Sequence, residues 1–154
     1  MNKLISRLTD VIAYGILMNL RDLSNDVIVS MLERIGSSFL HGAGEDADLR
    51  IEVSRLISWQ KFAILSTRDA PFAEVDRLYQ EVLSLGFSSL MDEGTAGIYF
   101  AQYCIRLQKF ELAMVVLETM LHKATDVSLG PPGVRKQLAR DAKRIRDELH
   151  LRDG

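Results

Sequence analysis

The sequence predicts an all-α fold of about seven helices, and three observations support this. Apolar residues recur every three to four positions through most of the 154 residues, which is the period of an amphipathic helix. Turn-forming residues are few, with 10 Gly and 3 Pro, and they separate the periodic segments. The composition, 47% hydrophobic and 26% charged, is typical of a folded globular chain. We therefore expect a single all-α domain over residues 1–154.

An N-terminal helical hairpin is predicted over residues 4–40. An apolar stripe opens the chain and predicts a helix up to about Leu20. Ser24 is suited to cap the second helix, because a serine hydroxyl can accept a hydrogen bond from a free backbone N–H. Gly36 is expected to begin closing that helix, and the glycine-dense stretch 41–45 predicts a loop.

Two further hairpins are predicted over residues 46–124. No helix breaker occurs between Asp46 and Thr67, so this stretch predicts one long helix. Pro71 favours the first turn of the next helix, and Gly86 is expected to end it.

Three sequence features predict the last three helices: a helix-start residue, a tight turn and a strong helix break. Asp92 is expected to start the fifth helix, and the short turn at Gln108 and Lys109 makes the fifth and sixth helices antiparallel neighbours. Gly-Pro-Pro-Gly at 130–133 is the strongest break in the chain. An amphipathic pattern beyond it predicts a C-terminal capping helix over 132–152.

Residues 59–83 and 97–121 repeat each other at a constant offset of 38 residues. The matching pairs are Phe62 with Phe100, Ala63 with Ala101, Arg68 with Arg106, Phe72 with Phe110, and Leu83 with Leu121. Helix-turn-helix repeats of about 34 residues are typical of tetratricopeptide arrays. The residues by which the 38-residue offset exceeds this repeat length fit an insertion in the connection that follows Gly86.

Residues 57–124 resemble the tetratricopeptide-repeat family. The first helix of its repeat carries a large apolar residue and then an apolar residue followed by a small one, as Trp59, Phe62 and Ala63 do here. Its second helix opens with an aromatic residue and has a small residue three positions later, as Phe110 and Ala113 do.

Three positions of the second hairpin depart from the family pattern. Gly97 stands where a large residue is usual, Met120 where a small one is usual, and Thr125 where a proline is common. Residues 4–35 do not fit the repeat.

The resemblance implies a short solenoid of stacked hairpins, with the last helix covering the final apolar face. It also implies a concave groove, lined by the first helix of each hairpin, that binds an extended peptide or a partner helix. The groove-facing positions transferred from the family are Gln60, Ile64, Thr67, Arg68, Ile98, Gln102, Ile105 and Arg106. Ile64 and Gln102 occupy places where family members that clamp a carboxylate use asparagine, so an apolar or helical ligand fits better.

No catalytic, metal or cofactor site is expected. His41, His122 and His150 lie far apart, and none has a second histidine or a cysteine at metal-binding spacing. Cys104 has no neighbouring histidine or second cysteine and is expected in the core.

The net charge of −2 argues against bulk attraction to nucleic acid or anionic lipid. Residues 135–152 nevertheless carry seven Lys or Arg and three acidic residues, a local charge of +4. We interpret this basic helix as the solvated side of a cap, with an acidic-ligand or nucleic-acid surface as the alternative. The single cysteine and the lack of a run of about 18 apolar residues favour a cytoplasmic protein outside the membrane.

The sequence therefore predicts a non-enzymatic protein-protein interaction module, such as an adaptor, chaperone or regulatory subunit, that binds another protein. The alternative is a self-associating structural domain, in which Ile64, Ile98 and Ile105 form a homodimer interface. A small enzyme is a third hypothesis, and it would need a pocket of converging titratable groups.

Overall fold

The computed structural model describes residues 2–153, and these residues form helices and connections without a β-strand. The all-α class and the seven α-helices are therefore confirmed for this part of the chain. The helices are α1 Lys3–Gly15, a 3-10 helix Leu17–Asp22, α2 Asn25–Ala43, α3 Ala47–Thr67, α4 Phe72–Leu85, α5 Leu90–Arg106, α6 Phe110–Ala124 and α7 Pro132–Asp153.

Several predicted boundaries are correct because a local backbone signal sets them. Ser24 caps α2, since its hydroxyl accepts a hydrogen bond from the Val27 N–H at 3.3 Å. Asp46 caps α3 in the same way, because its Oδ1 accepts a hydrogen bond from the Leu49 N–H at 3.1 Å. Gly86 follows the end of α4 with φ 77°, the left-handed conformation that glycine adopts without strain.

The first helix ends earlier than predicted, at Gly15 and not at Leu20. The chain changes there to the 3-10 helix, and Asn19 inside it has a non-helical backbone (φ −119°, ψ 15°). The Asn19 side-chain amide donates a hydrogen bond to the Tyr14 carbonyl at 3.1 Å, which satisfies a group that a continuing helix would have paired.

The prediction that Gly36 begins to close the second helix is wrong, because α2 continues to Ala43 and includes part of the predicted 41–45 loop. A Cβ at position 36 would lie 3.2 Å from Cγ1 of Ile57, so this glycine permits close contact between α2 and α3. The fifth helix likewise begins at Leu90 and not at Asp92, because Ser89 is its N-cap.

The chain divides into two compact units, of which the first ends at Leu85. In unit 1, α3 packs against both α2 and α4, and α1 packs against α2 and α3. The core side chains that are at most 1% exposed are Leu8, Ile12, Ile16, Ile28, Leu32, Val53, Phe62, Leu65, Val75 and Leu78.

Unit 2 begins at Gly86 and consists of α5, α6 and α7, each packed against the other two. The predicted apolar face of α7 is confirmed as buried at Leu138, Ala142, Ile145 and Leu149. A Cβ at Gly94 would lie 2.7 Å from Cδ1 of Leu138, so α5 and α7 approach closely.

Gly97 and Met120, two departures from the tetratricopeptide pattern, lie opposite each other in unit 2. A Cβ at position 97 would lie 2.8 Å from the Met120 sulfur and 3.0 Å from its Cγ. The thioether of α6 thus fills the space that a large residue on α5 would occupy.

Candidate protein-binding surface

The four predicted groove residues of α3 differ in how far their side chains are exposed to a ligand. Ile64 is only 5% exposed, and Gln60 is half-buried. Thr67 is exposed, but its hydroxyl donates a hydrogen bond to the carbonyl of Ala63 at 2.9 Å. The fourth, Arg68, is exposed at the C-terminal end of the helix.

Arg68 holds the 3-10 helix of unit 1 in place. Its Nη2 donates a hydrogen bond to the Leu23 carbonyl at 2.7 Å, and its Nη1 donates one to the Leu20 carbonyl at 3.3 Å. These carbonyls lie at the end of a short helix, where backbone acceptors lack internal partners. The guanidinium therefore has a structural contact where the sequence predicted a ligand contact.

The face of α3 that was predicted to line a groove is only partly available to a ligand. Ile64 is buried in unit 1, whereas Thr67 and Arg68 are exposed at the end of the helix and bind backbone carbonyls of the same unit.

Three of the four predicted residues of α5 come together in unit 2. Gln102, Ile105 and Arg106 line a cleft of about 310 Å³ between α5 and α7, whereas Ile98 is half-buried and does not line it. We name this the α5–α7 cleft. The residues that α7 contributes are Arg144, Ile145, Glu148 and Leu149.

The α5–α7 cleft has an apolar floor and a charged rim. Ile145 and Leu149 are at most 3% exposed and form the floor with Ile105. Arg106 and Arg144 are exposed at the rim. Nη1 of Arg144 lies 3.9 Å from Oε1 of Glu148. An apolar side chain can enter such a cleft while the arginines bind carboxylates, which is the chemistry of peptide recognition.

A row of exposed cations continues from this rim along α7. We name Lys136, Arg140, Lys143 and Arg144 the basic ridge, because their spacing places them on one face of the helix. All four are exposed. Within residues 2–151, whose side chains the structure describes, Lys136, Arg140 and Lys143 form neither an ion pair nor a side-chain hydrogen bond.

A second concave surface in unit 2, between α6 and α7, was missed from the sequence. It has a volume of about 530 Å³, and Val115 on it is 61% exposed. Four consecutive apolar residues, 114–117, were the available signal, because a helix cannot turn four successive side chains toward one core. The lining residues are Phe110, Glu111, Met114, Val115, Glu118, Thr119, Leu149 and His150.

Unit 1 contains a cleft of about 470 Å³ among α2, α3 and α4, lined by both polar and apolar side chains. Its charged residues have internal partners. Nζ of Lys61 lies 3.6 Å from Oε1 of Glu33. The hydroxyl of Ser58 donates a hydrogen bond to Oε1 of Glu81 at 3.1 Å. These two contacts join α3 to α2 and to α4, which gives the four side chains a structural role.

Cys104 is fully buried in α5, as predicted. Among the described side chains, residues 2–151, no group of three or more His, Cys, Asp or Glu is placed to hold a metal ion. No helix in the described chain is long and apolar enough to cross a lipid bilayer. Comparisons with models of known protein families, with curated proteins and with solved structures found no match.

Proposed function

We propose that this chain is a non-enzymatic protein-interaction module, an adaptor, chaperone or regulatory subunit, that binds a segment of another protein in the α5–α7 cleft. The observation that carries the proposal is the convergence of Gln102, Ile105 and Arg106 with α7 around an apolar floor. Concave apolar surfaces with a few fixed polar groups are the usual form of a recognition site.

The relation to tetratricopeptide proteins is part of this proposal. It is supported by the repeat of 38 residues and by the packing of α3 on α4 and of α5 on α6. In that arrangement α7 is a helix that covers the last hairpin and also forms one wall of the site. A cytoplasmic location belongs to the same proposal, supported by a single, buried cysteine.

The site is proposed on unit 2 because the corresponding residues of unit 1 have internal contacts. Ile64 is buried, and Arg68 binds backbone carbonyls. The alternative, a homodimer through Ile64, Ile98 and Ile105, has less support because Ile64 is buried and Ile98 is half-buried.

The test replaces the cleft residues Ile105→Ser and Arg106→Glu together. Leu83→Ser with Arg77→Glu is the matched control, since both are exposed side chains of unit 1 and the change in charge and apolar content is equal. The tagged proteins are used to capture partners from lysate, with quantitative mass spectrometry. We expect the cleft variant to recover its partners at least about tenfold less well than the wild type and the control.

Circular dichroism checks that both variants keep the wild-type helix content and Tm. An unchanged set of partners at unchanged recovery would contradict the cleft assignment. Sedimentation velocity over a dilution series separates the alternative, because a homodimer dissociates on dilution and a heterologous module stays monomeric.

A further inference from the structure

We propose that the partner segment is acidic and amphipathic: one of its apolar side chains enters the α5–α7 cleft, and its carboxylates pair with the basic ridge. This inference rests on the proposed function and specifies the chemistry of the ligand. Its first support is the electrostatic arrangement of α7.

The basic ridge is unfavourable for α7 itself. Arg140 lies four residues from both Lys136 and Arg144 and three residues from Lys143, so α7 carries three like-charge pairs at the spacings where helix side chains meet. Such pairs destabilise a helix. Lys136, Arg140 and Lys143 form no ion pair within the described chain, so an acidic segment of another protein would relieve this repulsion.

The ridge and the cleft are continuous. Arg144 belongs to both, and Arg106 on α5 places a further cation on the opposite rim. The ridge runs for about 12 Å along α7, the length of roughly two helical turns. A cleft of about 310 Å³ accommodates one large apolar side chain, and the row of cations beside it fits the carboxylates of the same segment.

Nucleic acid fits this surface less well. α7 contains no Phe, Tyr or Trp side chain on which a base could stack. A ridge of about 12 Å also neutralises few phosphates.

An anionic membrane surface fits less well for a different reason. A helix that lies on a membrane inserts its apolar face into the lipid. The apolar face of α7, from Leu138 to Leu149, is buried against α5 and α6. What α7 presents outward is charge beside a narrow apolar cleft, which matches an acidic protein segment.

The test measures binding of the full-length protein to a fluorescein-labelled peptide with the repeated sequence Glu-Glu-Leu-Ala, by fluorescence anisotropy. Two peptides serve as controls, one with Gln for every Glu and one with Ala for every Leu. We expect each control peptide to bind at least about tenfold more weakly, and the acidic peptide to lose affinity as salt rises from about 50 to 200 mM.

Arg140→Glu separates a binding ridge from a merely solvated one. The substitution converts the three like-charge pairs into attractive ones, so the Tm should stay constant or rise. Affinity for the acidic peptide should fall about tenfold. Arg34→Glu, an exposed reversal on α2 of unit 1, changes the net charge equally and should leave binding at the wild-type level.

Several outcomes would overturn the inference. One is that the wild type fails to bind the acidic peptide, and another is that Arg140→Glu binds it unchanged. Tighter binding of an oligouridylate or of phosphatidylserine vesicles, lost in Arg140→Glu, would assign the ridge to those anions. In each case the proposed function is judged separately, by partner capture with the Ile105 and Arg106 variant.

Discussion

At the scale of single residues, Gly97 and Met120 show how a small and a large side chain complement each other across a helix contact. In tetratricopeptide proteins the large side chain is on the first helix of the repeat and the small one is on the second. Here glycine on α5 leaves room for a methionine that is 3% exposed on α6. Because methionine is unbranched, it can fill an irregular space without forcing its neighbours apart.

Gly97→Ala should therefore destabilise the protein, although alanine is the better helix former. The new Cβ would lie 2.8 Å from the Met120 sulfur, and such overpacking costs about 1–3 kcal/mol against about 1 kcal/mol gained in helix propensity. We expect a net loss of about 1 kcal/mol in the free energy of unfolding, measured by urea denaturation.

Gly133→Ala is the matched control, because no neighbouring atom lies within 4 Å of its added Cβ. Its unfolding free energy should be unchanged or slightly higher. Combining Gly97→Ala with Met120→Ala should give a smaller loss than the sum of the two single losses. Strict additivity would show that the two side chains do not compete for space.

At the scale of the helix, the sequence predicted what short-range chemistry determines. Caps and breakers such as Ser24 and Gly86 act within a few residues, so their effects can be read locally. Gly36 was misjudged because a glycine that ends a helix and one that admits a neighbouring helix look alike in sequence.

The candidate site was only partly predictable for the same reason. Periodicity identified the face of α5 that carries Gln102 and Ile105, and these residues do line a cleft. Periodicity could not show that Ile64 is buried or that Arg68 reaches the carbonyls of the 3-10 helix, because both depend on how the helices pack together.

The connection between α6 and α7 offers a pH-dependent test. The Ser128 hydroxyl donates a hydrogen bond to Oδ1 of Asp126 at 2.6 Å, and the Ser128 N–H donates another at 2.9 Å. These bonds favour the charged carboxylate and lower the pKa of Asp126 below its ordinary value of 3.8. The bonds thus support this connection above pH 3.8, and their contribution is lost as the pH falls through the lowered pKa.

Ser128→Ala should raise the pKa of Asp126 toward 3.8, because it removes the hydroxyl bond that contributes most to the shift. Carboxyl ¹³C NMR titration of Asp126 measures this directly. Ser30→Ala, an exposed serine of unit 1, should leave the titration midpoint unchanged. An unchanged midpoint in Ser128→Ala would show that the hydroxyl does not influence the carboxylate.

At the scale of the whole molecule, the candidate cleft and the basic ridge lie within unit 2, on helices that pack against one another. The core of this unit is contributed by all three helices, through side chains such as Phe100, Leu117 and Ala142. Binding in the proposed site therefore needs no residue from unit 1. One domain over residues 1–154 stays a prediction, and the division at Leu85 gives a way to test it.

We expect residues 86–154, expressed alone, to form a helical protein that unfolds cooperatively and binds the acidic peptide. In the full chain, Leu117→Ala should destabilise unit 2 by about 2–5 kcal/mol while the unfolding of unit 1 stays unchanged. Leu32→Ala should have the reverse effect. Differential scanning calorimetry distinguishes the cases: if each substitution moves one common transition, the chain unfolds as a single domain.

Arg68 also bears on how unit 1 reaches its folded state. Its hydrogen bonds join residues that are 45 and 48 positions apart, whereas the contact between α3 and α4 closes over a short connection. Short loops close at a lower entropic cost, so the α3–α4 pair should form first and the guanidinium should engage late. An interaction made after the transition state slows unfolding and leaves the folding rate unchanged. Arg68 would thus act chiefly on the lifetime of the folded N-terminal helices and contribute little to the speed at which they form.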